Sequence, residues 1–144
     1  MSANTKALGL GDTISYKGVE YPLSPMTLEQ MTIFEAWVEE QMWKAHRRTR
    51  NILDVDEYDR NATQLRKECG MGVYGYPRPE WWQAITSFPG MKYAVWLVLK
   101  DNYKEITQEV ADEMVNLRYD HIIKLFTEAN DPSDPTDAES DQSA

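Results

Sequence analysis

The feature that most constrains the fold is a helical segment, Met91 to about Asn102, that is apolar on nearly every side. Its stretch Tyr93–Leu99 holds no charged residue and ends at Lys100 and Asp101. A helix that is hydrophobic all round is stable in water only when other elements cover it. The stretch is too short to span a bilayer, which needs about 20 apolar residues. We therefore predict a soluble, mainly α-helical domain with this helix at its centre.

Two earlier helices are predicted from apolar spacing and from capping residues. The first begins at Thr27, which forms a capping box with Gln30, and its apolar side chains recur every three or four residues. The second runs from about Asp54 to Cys69, with Asp54 and Glu57 as its capping pair. Both are typical amphipathic helices, which bury one face and expose the other.

Two further helices complete the predicted set. A short one begins at Pro79, and Phe88-Pro89-Gly90 is expected to separate it from the apolar helix. Thr107 is expected to cap the last helix, which reaches about Thr127. The sequence leaves open whether residues 107–128 form one helix or two with a break near Asn116.

The N-terminal part predicts a β-hairpin. Two short runs of β-forming residues, TISY and VEYPL, flank Lys17-Gly18, and Gly18 supplies the positive φ of a tight turn. We thus expect a small domain of four to six helices with an N-terminal hairpin over residues 13–129. Residues 1–12 are expected to be a disordered arm, and residues 130–144, rich in Asp, a disordered acidic tail.

Charge and cysteine content narrow the classes of function. The formal net charge of −9 argues against wrapping of nucleic acid, which needs clustered Lys and Arg. A lone cysteine, Cys69, excludes an internal disulfide framework and fits a reducing compartment. The N-terminus lacks the apolar region of a signal peptide, so an intracellular protein without membrane contact is expected.

No motif in the sequence predicts catalysis, a cofactor or a metal. Residues 70–75 spell GxGxxG, but a helix precedes them and Tyr76-Pro77 follows, whereas a dinucleotide site needs a strand before and a helix after. The two histidines have no ligand at metal-binding spacing, so we expect a solvated His46 and a half-buried His121. The chain is therefore expected not to be an enzyme.

The adjacent pair Trp81-Trp82 admits two interpretations. Neighbouring residues on a helix point about 100° apart, so both rings are buried only if two sides of the helix are covered. Either both rings belong to the core, or one ring stands in a partner-binding surface, where Trp is enriched. Tyr74 and Tyr76 in the preceding loop would enlarge such a surface.

Two blocks of the chain resemble the tail assembly chaperones of long-tailed bacteriophages. Residues 16–40 contain a short hairpin followed by a P-L-x-P-M-T-L entry to an amphipathic helix. Residues 94–114, AVWLVLKDNYKEITQEVADEM, are similar to the family's apolar helix, polar turn and I-T-x-E-x-A helix opening. At residues 102–104 the chain has Asn-Tyr-Lys where the family often has His-Pro.

The resemblance implies a non-enzymatic protein of the host cell cytoplasm that binds and solubilises the tape measure protein and helps recruit tail tube subunits. The residues expected to supply client contacts lie in the first helix and the tryptophan pair: Met31, Phe34, Trp37, Met42, Trp81 and Trp82. Two other classes stay open, a virion structural or connector protein and a regulator whose acidic tail mimics nucleic acid. Self-association is open as well.

Overall fold

The computed structural model describes residues 13–130, and side chains through residue 126. This part of the chain contains one hairpin and five helices: β1 (Thr13–Tyr16), β2 (Val19–Pro22), α1 (Leu28–Arg48), α2 (Val55–Gly70), α3 (Pro79–Thr86), α4 (Phe88–Leu99) and α5 (Gln108–Asn130). The predicted mainly α fold with an N-terminal hairpin is confirmed. The predicted disordered arm at 1–12 lies outside the described residues, as does the predicted tail from residue 131 on.

The chain forms two compact units. The first contains the residues up to Thr27 together with those from Met91 onward, and the second is Leu28–Gly90. The hairpin, most of α4 and all of α5 thus belong to the first unit, and α1, α2 and α3 to the second. The single domain expected at 13–129 stays a prediction. No described helix combines the length and the apolar character needed to cross a membrane.

In the first unit the hairpin lies on α5. Lys17 and Gly18 both have positive φ, 51° and 80°, which is the signature of a type I′ turn between strands that pair Tyr16 with Val19. The Tyr16 hydroxyl donates a hydrogen bond of 2.7 Å to Glu113 of α5. Because an isolated two-stranded hairpin is marginal in water, this support from a helix stabilises it.

The first unit buries the apolar faces of α4 and α5. Their buried residues are Met91, Ala94, Val95, Leu97, Val98 and Leu99 in α4, and Ala111, Met114, Val115, Ile122, Leu125 and Phe126 in α5. The expectation that α4 would be deeply buried is confirmed. Thr107 caps α5, since the Val110 N–H donates to its hydroxyl at 3.2 Å.

Helix α5 contains the break that the sequence left open. Arg118 has non-helical angles, φ −132° and ψ 31°, so two helical segments meet at a kink two residues beyond Asn116. Of the two alternatives, the structure therefore favours two helices with a break near Asn116. Leu117, next to the kink, is 66% exposed.

In the second unit α1 and α2 form an antiparallel pair joined by a short turn. Asp54 caps α2 as predicted, since its carboxylate accepts the Glu57 N–H at 2.8 Å. Phe34 and Val38 of α1 and Leu65 of α2 are the buried side chains of these two helices. Helix α2 ends at Gly70, one residue beyond the predicted end at Cys69.

The break between α3 and α4 is narrower than predicted. Only Ser87 is non-helical, and α4 already begins at Phe88, so Pro89 and Gly90 belong to its first turn rather than to a separating loop. Proline is tolerated there because the first N–H groups of a helix have no acceptor inside it. The Ser87 hydroxyl accepts the Gly90 N–H at 3.1 Å and caps α4. The predicted extension to Asn102 is wrong, since α4 ends at Leu99.

Candidate partner-binding site

Five aromatic side chains of the second unit form a continuous group, here called the aromatic cluster: Phe34, Trp37, Tyr76, Trp81 and Trp82. The Phe34 ring lies 5.6 Å from Trp37 and 5.6 Å from Trp81, centroid to centroid. The Trp81 ring lies 4.9 Å from Tyr76 and 5.1 Å from Trp82, both edge to face. The cluster thus joins α1, the loop after α2, and α3.

Local sequence places the members of the cluster. Phe34 and Trp37 are three residues apart, so they are neighbours on the surface of α1. Pro79 in the first turn of α3 and the extended Ser87 after it restrict this helix to Pro79–Thr86, which carries the two tryptophans. Tyr76 comes from the loop before α3, next to a cis peptide bond with Pro77.

The cluster has a buried centre and a partly exposed edge. Phe34 and Trp81 are both 0% exposed, whereas Trp37, Tyr76 and Trp82 are half-buried. Phe34 and Trp81 therefore do not lie on the surface of this conformation, although the sequence placed them among the client contacts. For the tryptophan pair, the structure places one ring in the core and leaves the other partly accessible.

The two methionines predicted as contacts are not equally close to this group. Met31 is half-buried and lies one turn before Phe34 on α1. Met42 is 37% exposed and follows Trp37 by five residues, which places it about 140° around the helix. Met42 thus faces another direction than the exposed edge of the cluster.

Four glutamates of the second unit lie near Gly75, Cys69 or Tyr74 and are here called the acidic row: Glu35, Glu39, Glu68 and Glu80. Glu35 lies against the backbone of Gly75, where a Cβ would come within 2.7 Å of its carboxylate oxygen. Gly75 directly precedes Tyr76 of the cluster in the chain. Glu80 directly precedes Trp81, and all four glutamates are half-buried.

Burial and like charge raise the pKa values of Glu39 and Cys69 in this region. Burial, and then the negative charge of Glu35, raise the pKa of the Glu39 carboxyl above its usual value. Burial raises the pKa of the Cys69 thiol, and Glu39 adds to the shift. A thiol with a raised pKa holds little thiolate at neutral pH and is a poor nucleophile.

The buried Tyr74 hydroxyl belongs to the same region. It donates a hydrogen bond of 3.3 Å to Glu68. Burial is the main cause that raises the pKa of Tyr74 to about 12, and the Glu68 charge adds to it. Tyr74 thus remains a neutral donor to the acidic row at physiological pH.

No described lysine or arginine neutralises the acidic row. The described ion pairs join Arg47 to Glu40 at 3.0 Å and Lys100 to Asp101 at 3.1 Å, and neither involves any of the four glutamates. Within the row, the charge of Glu35 disfavours the ionised form of Glu39.

The two histidines differ from expectation. His46 is half-buried, its ring stacks on Tyr58 at 4.0 Å, and its Nε2 is buried with no described hydrogen-bond partner. His121 is the exposed one, with its Nε2 3.1 Å from the Thr13 carbonyl oxygen. Among residues 13–126 no three His, Cys, Asp or Glu side chains are arranged to hold a metal ion.

The sequence did not single out Glu35 and Glu39, which the structure brings close enough for the charge of one to act on the other. The available signal was their four-residue spacing, which puts both carboxylates on one face of a helix. The contact of Glu35 with Gly75 spans 40 residues of chain and left no local signal.

Comparisons of the chain with known protein-family models, curated proteins and solved structures found no match.

Proposed function

We propose that this chain is a tail assembly chaperone of a long-tailed bacteriophage, acting in the host cytoplasm without catalysis. It binds the tape measure protein, keeps this client soluble and helps to recruit tail tube subunits. The resemblance of residues 16–40 and 94–114 to that family suggested the function. The proposal includes no cofactor and no metal.

The observation that carries the proposal is the partly exposed edge of the aromatic cluster. Trp37, Tyr76 and Trp82 are half-buried against the fully buried Phe34 and Trp81, which hold their rings in fixed positions. Rigid, partly exposed tryptophans are frequent anchors of protein interfaces, because they bury a large apolar area at low entropic cost. Such an edge suits apolar side chains of a helical client.

The charge of the chain supports the same role. An aggregation-prone apolar client needs a partner that adds repulsion between complexes, and this chain contributes a net charge of −9. Net charge far from zero keeps proteins soluble.

Co-expression with a tape measure protein from the same genome tests the proposal. The soluble fraction of the client should rise with the wild-type chain and fall again with Trp37→Ala and Trp82→Ala. Truncating an interface anchor costs about 2 kcal/mol, which is roughly 30-fold in affinity. Trp96→Ala is the matched control, since Trp96 is a half-buried tryptophan of α4 outside the cluster. An unchanged soluble fraction with the wild-type chain would sink the proposal.

Purified virions provide a second test. An assembly chaperone should be absent from the finished particle, whereas a structural or connector protein would be present at stoichiometric copy number. Quantitative mass spectrometry of virions measures this directly. Stoichiometric presence would replace the chaperone function with a structural one.

A further inference from the structure

We propose that the end of the α1–α2 pair at which the chain turns is a contact surface between two copies of this protein. This surface, here called the helical tip, consists of residues 47–60. Ile52 and Val55 lie in the middle of this segment and are 80% and 73% exposed. The two copies are related by a two-fold axis, so each contributes the same residues to the contact.

Backbone hydrogen bonds hold the turn between the two helices in one conformation. The Thr49 carbonyl oxygen accepts the N–H groups of Ile52 and Leu53, both at 3.0 Å, and Asp54 then caps α2. Ile52 and Val55 are three residues apart, so their Cα atoms are separated by at most about 11 Å. The two exposed aliphatic side chains therefore lie at the same end of the helix pair.

Local preferences do not explain an aliphatic residue at either position. Turns favour Gly, Asn, Asp and Ser, and the first turn of a helix favours Pro and acidic residues. Ile52 lies in the turn and Val55 is the first residue of α2, yet both expose most of a β-branched side chain. Departures from local rules occur mainly at functional sites. A partner that covers these side chains accounts for them.

The charges of the helical tip are self-complementary. Its four arginines and four acidic side chains leave it without net charge, whereas the chain carries −9. Three of the arginines precede Ile52, and all four acidic side chains follow it. Two copies can thus meet here without net repulsion, and a two-fold axis can place the arginines of one copy opposite the acids of the other.

Exposed charges of both signs at the tip are available to a second copy. Arg48, Arg50, Asp56 and Asp59 are exposed and take part in no described ion pair. The helix dipoles explain basic side chains at the end of α1 and acidic ones at the start of α2, but not the aliphatic residues between them. A partner of a single sign would be repelled by half of the tip. A second copy can pair with both halves.

Sedimentation velocity of the full chain at increasing concentration measures the association. We expect a monomer–dimer equilibrium with a dissociation constant of roughly 10–100 µM, because the tip is smaller than one side of a standard interface, about 800 Å². Ile52→Ser and Val55→Ser together should weaken the dimer at least about tenfold.

The serine variant should lose the dimer without losing the fold. Serine suits both a turn and the first turn of a helix, so the helical circular dichroism and the urea midpoint should stay near those of wild type. Leu28→Ser is the matched control, since Leu28 is 83% exposed at the start of α1, outside the helical tip. The control should dimerise as wild type does.

Two charge-reversed chains test the two-fold arrangement. The first carries Arg48→Glu with Arg50→Glu, and the second carries Asp56→Lys with Asp59→Lys. Each chain alone should fail to dimerise, because two tips of one sign repel each other. An equimolar mixture should associate at least as tightly as wild type, because an acidic tip then meets a basic one.

Several outcomes would overturn the proposal. A wild-type chain that stays monomeric at every soluble concentration excludes the dimer, and a dimer that tolerates the serine variant excludes the helical tip as its interface. A mixture that associates no better than its components excludes the two-fold charge pairing. Client solubilisation is measured separately, so loss of the dimer and loss of the chaperone function are distinguishable.

Discussion

Phe34 in α1 and Trp81 in α3 pack edge to face with their ring centroids 5.6 Å apart, and neither side chain is exposed. This contact links two residues that are 47 positions apart in the chain. It also supports the half-buried Trp37 and Trp82 from beneath, because each of them contacts one member of the pair. The positions of the half-buried rings therefore depend on the buried contact between Phe34 and Trp81.

Trp81→Ala should destabilise the protein by about 3–5 kcal/mol, as large-to-small changes of buried aromatic residues do. Trp81→Phe should cost much less, because it keeps a ring and removes an indole N–H that has no described acceptor. Urea unfolding measures both changes. Leu117→Ala, at a 66% exposed position, should stay within about 0.5 kcal/mol of wild type. Similar unfolding free energies for all three variants would contradict the described packing of Trp81.

Gly90→Ala should be strongly destabilising. A Cβ at Gly90 would lie 1.8 Å from the Ala84 carbonyl oxygen, so the backbone between α3 and α4 would have to move. We expect a loss of at least about 3 kcal/mol, at the upper end of overpacking effects, or a fall in soluble yield. Gly70→Ala is the control, because no atom lies within 4 Å of the added carbon and the helical position should gain about 0.5 kcal/mol. Thermal unfolding measures the stability of both variants. A Gly90→Ala variant as stable as Gly70→Ala would refute the close approach of residue 90 to the Ala84 carbonyl oxygen.

Asp54→Ala should destabilise α2. The Asp54 carboxylate accepts the Glu57 N–H at 2.8 Å, and the loss of such a cap costs about 1 kcal/mol. Asp54→Asn should retain most of the stability, since the amide oxygen caps a helix nearly as well. Denaturant titration of the three proteins tests this. Equal stability of the Asn and Ala variants would show that the Asp54 cap does not stabilise α2.

Tyr74 should ionise late in an alkaline titration. Its pKa is raised from 10.0 to about 12 by burial, with a further contribution from Glu68. The folded state therefore holds the phenolic proton more tightly than the unfolded state. This contribution to stability is fully present below pH 10 and is lost as the pH rises toward about 12.

Ultraviolet absorbance at alkaline pH measures that ionisation. The difference between wild type and Tyr74→Phe should show a component with a pKa near 12, and Glu68→Gln should move this component downward without restoring the ordinary value, because burial remains. A difference curve with a midpoint at the ordinary pKa of tyrosine would disprove the described environment.

Much of the fold follows from local patterns. The turn at Lys17-Gly18, the cap of α2 at Asp54 and the cap of α5 at Thr107 were predicted and are confirmed. Each involves hydrogen bonds or backbone angles within about four residues, so the residue types at those positions suffice to predict them. The burial of α4 was equally predictable, because a helix without a polar face has no side to expose.

Other features required the folded chain. The separation of α3 from α4 depends on Ser87 alone, since Pro89 and Gly90 continue as helix, and both arrangements satisfy the local rules. The kink at Arg118 occurs without the proline or glycine that normally indicates one. At such positions the local preferences for continuing and for ending a helix are nearly equal. Packing in the folded chain therefore determines which of the two occurs.

The sequence alone determined that this chain is mainly helical, where most of its helices begin, and that it carries an excess of negative charge. Tertiary structure decided which of the adjacent tryptophans is buried, because periodicity cannot say which side of a short helix is covered. It also decided that Glu35 lies beside Gly75, forty residues away. The candidate site therefore consists of residues that the sequence supplied and that only long-range packing brought together.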